Sequence, residues 1–171
     1  TKAAEEVRCL FGINQLPTTP EDFQNLKYID MCIKDVLRLF PIAPYILRKT
    51  SEDLYIEKWL IPRGSAVVVP IFNIHRNPKF WKKPHDFYPD HFLPQEVNKR
   101  HVYAYIPFSA GSRGCIGKTV AYTFLKTFIC SFLQKYEVES DGKVPNLKLK
   151  MDISVRSING YNVTLKPRIW K

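Results

Sequence analysis

Ten residues, 108–117, constrain the fold of this 171-residue chain more than any other segment. They read Phe-Ser-Ala-Gly-Ser-Arg-Gly-Cys-Ile-Gly and lead directly into a helical pattern. Because glycine has no Cβ, the backbone can turn tightly or lie flat against a planar partner at Gly111, Gly114 and Gly117. The helix that follows points its unpaired amides and positive dipole end back at Cys115, which favours a thiolate. The segment therefore predicts a thiolate against a planar ligand, with Arg113 positioned to meet a carboxylate.

The composition is that of one globular domain with a basic surface. Hydrophobic residues make up 45% and charged residues 25%, and 26 Lys and Arg against 16 Asp and Glu give a net charge of +10. Such a charge suits nucleic acid, an anionic membrane surface or an acidic protein. No arginine-rich tract or aromatic stacking motif concentrates it, which argues against nucleic acid. No apolar run reaches the roughly 18 residues of a membrane span.

Apolar periodicity and turn signals predict a mainly α fold with small β-sheets, an α+β arrangement. We predict helices over residues 2–11, 20–40, 72–77 and 116–134, and strands over 45–48, 53–56, 59–61 and 66–69. Residues 78–107, rich in proline and aromatic side chains, are expected to form an irregular but packed segment. Asn159-Gly160 predicts a hairpin between residues 152–157 and 161–166, because this pair supplies the positive φ values of a type I′ turn.

The last predicted helix carries apolar residues at helical spacing, which we interpret as its core face. These are Ile116, Val120, Phe124, Phe128 and Phe132. Three further cysteines, Cys9, Cys32 and Cys130, fall within predicted helices and form no C-x-x-C pair or zinc spacing. We interpret them as small packed residues, a pattern that fits a reducing compartment.

The spacing F-x-x-G-x-R-x-C-x-G around Cys115 resembles the signature of the cytochrome P-450 family. An isolated cysteine would be interpreted as a buried structural thiol, but every fixed position of the signature is present. The resemblance implies that residues 1–171 are the C-terminal haem-binding portion of one cytochrome P-450 domain, the rest of which lies outside this chain. It also implies haem b (iron protoporphyrin IX), with Cys115 as the axial ligand.

The same resemblance implies cofactor contacts for other residues. Arg113 and Arg48 would each meet a haem propionate, since arginine pairs with carboxylates in a bidentate manner. For Arg48, an exposed strand charge is the alternative. Phe108 would pack beside the thiolate, and Gly111 and Gly117 would belong to the haem-binding loop.

Two segments resemble the family's substrate-pocket wall, and one histidine needs a separate interpretation. The pocket candidates are Pro44, Tyr45, Ile46, Leu47 and Ile158. His75 is interpreted as a structural hydrogen-bonding residue rather than an iron ligand, because the cysteine motif already supplies an anionic axial ligand.

Asp35 and Arg38 lie three residues apart in a predicted helix and can therefore pair on one face. The plain interpretation is a surface ion pair of little energetic value. Residues 35–41, however, resemble the family's E-x-x-R helix motif, whose buried pair is joined by an arginine from the irregular segment. Here the acid is one methylene shorter, so a small helix shift or a bridging water is expected. His91 stands at the third corner and is expected to donate to a carbonyl or to Asp35.

The implied activity is that of a haem-thiolate monooxygenase, which inserts one oxygen atom of O₂ into a lipophilic organic substrate. Electrons would come from a flavin-containing NADPH reductase docked on the basic haem-proximal face. The resemblance is strongest to animal microsomal hydroxylases of fatty acids and xenobiotics, insect forms included. It implies the cytosolic face of the endoplasmic reticulum membrane, through an N-terminal anchor outside this chain.

Two alternatives stay open at this point. One is a haem-thiolate lyase or isomerase that rearranges peroxides without O₂ or a reductase. The other is an inactive, truncated haem-fold fragment, and the 171 residues alone are expected to lack activity.

Overall fold

Helices form the frame of the molecule. The structure, a computed structural model, describes residues 2–140 and 147–170. Its helices are α1 (Lys2–Phe11), α2 (Pro20–Asn25), α3 (Lys27–Leu39), α4 (Ile71–Ile74), α5 (Pro94–Val97) and α6 (Lys118–Lys135). Single 3₁₀ turns cover Pro89–Phe92, Val102–Ala104 and Gly111–Arg113. In the described part of the chain, no helix has both the length and the apolarity needed to cross a bilayer.

The strands are short and pair in twos. They are β1 (Ile46–Lys49), β2 (Leu54–Ile56), β3 (Trp59–Ile61), β4 (Ala66–Val69), β5 (Tyr136–Glu139), β6 (Leu149–Met151), β7 (Val155–Ser157) and β8 (Thr164–Pro167). The described residues contain four antiparallel two-stranded sheets: β1–β4, β2–β3, β5–β8 and β6–β7. The mainly α architecture with small sheets is therefore confirmed, as are the four strands predicted between residues 45 and 69.

The core lies where α1, α3 and α6 meet. Its buried members are Val7, Phe11, Leu26, Ile29, Ile33, Leu37 and Cys130. Cys130 is fully buried, as predicted, and Cys32 is half-buried. Cys9 is exposed, so its interpretation as a packed residue is wrong. It lies two residues from both Val7 and Phe11, and two residues turn a helix by more than half a circle.

The long helix predicted over residues 20–40 is in fact two helices. Thr19 caps the first through a capping box with Asp22, and Pro20 begins it. Leu26 then leaves helical geometry, with φ −73° and ψ 68°, and its side chain is fully buried. The turn sends Leu26 into the core and gives α3 a new start at Lys27.

The predicted C-terminal hairpin has different partners. Residues 155–157 pair with 149–151 as β6–β7, and residues 164–167 pair with β5, which directly follows α6. Of the pair Asn159-Gly160, only Gly160 has a positive φ, +79°, so the type I′ turn does not form. Both strands therefore pair with partners outside residues 152–166, which the local turn signal could not indicate.

Four of the five side chains predicted to form the core stripe of the last helix are exposed, and Phe132 is half-buried. Phe124 and Phe128 are 67% and 55% exposed, and Ile116 is fully exposed. The buried side chains of α6 are Lys126, Cys130 and Gln134, which lie on the opposite side of the helix. Because α6 is apolar on more than one side, its periodicity could not indicate which side meets α1 and α3.

Candidate haem-thiolate site

Backbone hydrogen bonds hold the cysteine loop in a defined shape. The amide of Cys115 donates to the carbonyl of Phe108 at 2.9 Å, and that of Gly114 donates to Gly111 at 2.9 Å. Gly111 has φ +72°, with no heavy atom within 4 Å of where a Cβ would stand. A side chain at Gly111 would therefore be strained by its backbone conformation rather than by crowding.

The thiol of Cys115 lies at the entrance to α6 and is exposed. The helix begins at Lys118 with Gly117 as its N-cap, two residues later than predicted. A Cβ at Gly117 would stand 3.7 Å from Sγ of Cys115, so the start of the helix lies directly beside the sulfur. The unpaired amides and positive dipole end of α6 favour an anion at this place.

The sulfur of Cys115 and its two neighbouring side chains are open to a ligand from outside. Ile116 is fully exposed, and Arg113 is also exposed. One axial thiolate is enough for an iron whose other ligands come from a macrocycle. Among the described residues no three His, Cys, Asp or Glu side chains form a metal-binding group.

Arg48 reaches the cysteine loop from β1. Its Nη2 donates to Oγ of Ser109 at 2.9 Å, and its Nη1 donates to the carbonyl of Leu47 at 2.9 Å. Ser109 has φ +62°, a left-handed conformation that is uncommon for a residue other than glycine. Arg48 is exposed on its strand, as the alternative interpretation has it, and its guanidinium contacts the loop that carries Cys115.

Phe108 belongs to the interior side of the loop. It is half-buried, packs on the core and lies 5.6 Å from the ring of Tyr122, centroid to centroid. Its backbone carbonyl accepts the amide hydrogen bond from Cys115 described above. The ring therefore joins the loop to α6.

Behind the loop, Asp35, Arg38 and His91 form one buried cluster. Nε of Arg38 lies 2.6 Å from Oδ1 of Asp35, and both side chains are fully buried. Nη2 of Arg38 donates to Oδ2 at 3.4 Å, and Nδ1 of His91 lies 3.0 Å from Oδ1. The shorter acid reaches both partners directly, so no water is needed to bridge these side chains.

The carboxylate of Asp35 is held in its charged form. Burial alone would raise its pKa, but hydrogen bonds from His91, Arg38 and the amide of Tyr88 hold the pKa below its usual value. The amide of Lys83 donates to Nε2 of His91 at 3.4 Å. With Nδ1 donating to Asp35, one neutral tautomer of His91 satisfies both contacts.

Arg38 also fixes the irregular segment. Its guanidinium donates to the carbonyls of His75, Pro84 and Asp86 at 3.2, 2.7 and 2.6 Å. It further stacks on Trp81, with its Cζ 5.1 Å from the ring centroid. One buried cation thereby joins α3 to the end of α4 and to two points of the irregular segment.

Sequence reasoning missed Arg100 as a member of this cluster. Its guanidinium donates to the carbonyl of His91 at 3.2 Å and lies 3.8 Å from the ring centroid of Trp81. Burial, followed by the charge of Arg38, lowers the pKa of Arg100. The only sequence signal for Arg100 is its position in residues 78–107, a segment rich in proline and aromatic side chains.

The substrate-pocket candidates differ in their surroundings. Pro44 is buried and Ile46 half-buried, whereas Tyr45, Leu47 and Ile158 are 43%, 57% and 65% exposed. The amide of Val155 donates to the carbonyl of Ile42 at 2.9 Å, which brings the two segments together.

A cavity of about 960 Å³ lies between α3, α6 and residues 105–109. Phe108 and Ser109 of the cysteine loop form part of its wall. Four lysines also line it: Lys27, Lys34, Lys118 and Lys126. Asp30 pairs with Lys34 and Lys126 at 2.6 and 2.9 Å, while Lys27 and Lys118 make no ion pair among the described residues. Glu6 and Asp30 line the cavity as well, so its lysines outnumber its acids by four to two.

Comparisons with known proteins agree with this arrangement. The family model for cytochrome P-450 matches residues 1–165. Cytochrome P-450 4g15 of Drosophila melanogaster is 40% identical over 165 residues, covering 95% of this chain and 29% of that protein. Cytochrome P-450 4c3 of the same species is 38% identical over 168 residues, covering 98% and 31%. Cytochrome P-450 4V2 of Rattus norvegicus is 38% identical over 167 residues, covering 98% and 32%. The chain thus spans just under a third of the length of these relatives.

Proposed function

The chain belongs to the cytochrome P-450 family, and on that premise we propose that the complete protein is a haem-thiolate monooxygenase. Residues 1–171 would form the C-terminal haem-binding portion of a single domain. The observation that carries the proposal is the exposed Cys115 thiol at the start of α6, inside an intact signature loop. The reaction would insert one oxygen atom of O₂ into a lipophilic substrate.

Three residues would hold haem b. Cys115 would supply the axial sulfur, and Arg113 and Arg48 would pair with the propionates as bidentate donors. When bound, the haem supplies oxygen activation, for which electron donation from a thiolate favours O–O cleavage. Ser109 supports this assignment for Arg48, because its hydroxyl already holds the guanidinium at the loop.

The protein's own contribution is to keep the sulfur anionic and in place. The start of α6 favours the anion through its amides, and the amide bond from Cys115 to Phe108 fixes the loop. Because Arg38 joins α3 to the end of α4 and to two carbonyls of the irregular segment, we expect the surface behind the loop to resist movement. Pro44, Tyr45, Ile46, Leu47 and Ile158 would contribute one wall of the substrate pocket.

The electron donor would be a flavin-containing NADPH reductase. The lysine-lined cavity beside Phe108 and Ser109 supports an acidic partner surface on this side, because opposite charges steer association. A membrane anchor outside this chain would hold the complete protein at the cytosolic face of the endoplasmic reticulum.

Replacing the sulfur tests the proposal. In the complete protein, the reduced carbon monoxide complex should show the strongly red-shifted Soret band of thiolate ligation. We expect Cys115→Ala to lose that band, because no other anionic ligand would reach the iron, and we expect Cys130→Ala to keep it. Cys130 is a matched control because it is fully buried in the core.

Two results would contradict the proposal. One is a complete protein that purifies without haem, and the other is a red-shifted band that survives Cys115→Ala. Loss of haem in both cysteine variants would point to a folding defect, and the far-ultraviolet circular dichroism spectrum identifies that case.

A further inference from the structure

His75 occupies a buried junction between the Arg38 cluster and the cysteine loop. Its side chain is fully buried, and its Nε2 accepts a hydrogen bond from the amide of Ile106 at 2.9 Å. Its own carbonyl accepts from Nη1 of Arg38 at 3.2 Å. Its ring stacks on Tyr105 with centroids 5.2 Å apart. His75 therefore contacts Arg38 on one side and, on the other, Tyr105 and Ile106, which precede the cysteine loop.

The hydrogen bonds select a single neutral form of the ring. Nε2 accepts from Ile106, so the ring proton resides on Nδ1. Burial, together with the nearby charges of Arg38 and Arg76, lowers the pKa of His75 to about 4. The backbone carbonyls of Arg38 and Leu37 act in the opposite direction on this pKa. Neither accepts a well-formed hydrogen bond, because Nδ1 has no hydrogen-bond partner among the described residues. Of the two ring nitrogens, therefore, only Nε2 is hydrogen-bonded, through the bond that it accepts from Ile106.

The Ile106 amide is close in sequence to the atoms that set the cysteine. The amide of Ser109 donates to the carbonyl of Ile106 at 3.0 Å, and the carbonyl of Phe108 accepts from Cys115 at 2.9 Å. Oη of Tyr105 donates to the carbonyl of Lys34 on α3 at 2.9 Å. Residues 105–109 thus run from His75 to the cysteine through consecutive backbone contacts.

We propose that His75 is a positioning residue for the Cys115 ligand, acting through the hydrogen bond that its Nε2 accepts from Ile106. This inference rests on the proposed haem-thiolate function. It differs from a packing role, in which any flat ring of similar size would serve.

Two amides of different length separate these roles. In His75→Gln the side-chain oxygen stands at the distance of Nε2 and can still accept from Ile106. In His75→Asn the amide reaches only as far as Nδ1 and leaves the Ile106 amide without an acceptor. His75→Phe keeps a flat ring but has no acceptor at all.

The measurement is made on the reduced carbon monoxide complex of the complete, haem-loaded protein. It is the ratio of haem that carries the thiolate ligand to haem that lacks it. We expect His75→Gln to keep the wild-type ratio, and His75→Asn and His75→Phe to lower it by about tenfold, the scale of one unsatisfied buried amide. Tyr103→Phe is the matched neighbouring control, because Tyr103 is 59% exposed and its variant should keep the ratio. Hydrogen exchange of the Ile106 amide in the haem-free protein gives an independent readout, with exchange faster in Asn and Phe than in Gln.

The outcomes separate this inference from the proposed function. A wild-type protein without thiolate ligation overturns the function, whereas a thiolate-ligated wild type with an unchanged Asn or Phe ratio overturns only the role of His75. If Asn and Phe do not fold, Gln decides: a preserved ratio supports the role and a lowered one overturns it. A Gln variant that does not fold overturns it as well, because an acceptor at this position would then be insufficient.

Discussion

Asp35 accepts hydrogen bonds from three directions. Arg38 donates from the next turn of α3, His91 from the 3₁₀ turn, and the amide of Tyr88 from the preceding backbone. The sequence could predict the pair with Arg38, since two residues three apart share a helix face. The family resemblance also indicated His91 as a partner of this carboxylate, whereas no sequence pattern indicated the amide of Tyr88. The shorter acid suffices because its partners approach it.

We therefore expect a longer acid to be worse at position 35. Asp35→Glu should lower the free energy of unfolding by about 1–3 kcal/mol, the usual cost of an extra methylene in a filled site. Asp35→Asn should cost more, about 3–5 kcal/mol, because the charge of Arg38 would remain buried without its counter-ion. Urea unfolding of the complete protein measures both.

Asp90→Asn is the matched control. Asp90 lies on the 3₁₀ turn that carries His91 and makes no salt bridge among the described residues. A more stable Asp35→Glu protein would show that the short acid is a defect and would contradict the geometry described above.

At the scale of elements, α3 begins with a cap supplied by another helix. Its N-cap residue, Leu26, offers no side-chain hydrogen bond. Glu6 of α1 instead accepts from the amides of Tyr28 and Ile29 at 2.7 and 2.9 Å. A carboxylate at this end also favours the helix dipole. The break at Leu26 is thus stabilised by a contact between residues more than twenty positions apart.

Glu6→Ala should lower the free energy of unfolding by about 1–2 kcal/mol, the usual cost of losing an N-cap acceptor. Glu5→Ala is a matched control, since Glu5 is its exposed neighbour on α1 and makes no such contact. Chemical denaturation of the two variants side by side measures the difference. Equal losses in both would mean that α3 needs no cap from α1.

Across the whole molecule, local patterns predicted the elements, and distant contacts decided their partners. The helix over residues 2–11 and the strands near β1 and β4 follow from periodicity and turn residues within a few positions. The pairing of β8 with β5 joins segments far apart in sequence, so the turn signal at Asn159-Gly160 could not reveal it. In the same way the signature predicted the cysteine loop, whereas the contacts of His75 and Arg100 depend on how the irregular segment folds back.

The exposed side of α6 belongs to this scale as well. Phe124, Phe128, Phe132 and Tyr136 form a continuous ladder, with successive ring centroids 6.3, 5.7 and 5.3 Å apart. The relatives are about three times as long as this chain, so we expect the part of such a polypeptide outside these residues to cover the ladder.

In the complete protein, Phe128→Ala should then lower the free energy of unfolding by about 3–5 kcal/mol, as for a buried phenylalanine. Tyr55→Ala, which removes a 70% exposed ring from β2, should change it by less than about 0.5 kcal/mol. Urea unfolding of both variants checks this, and equal small effects would mean that the ladder stays in water.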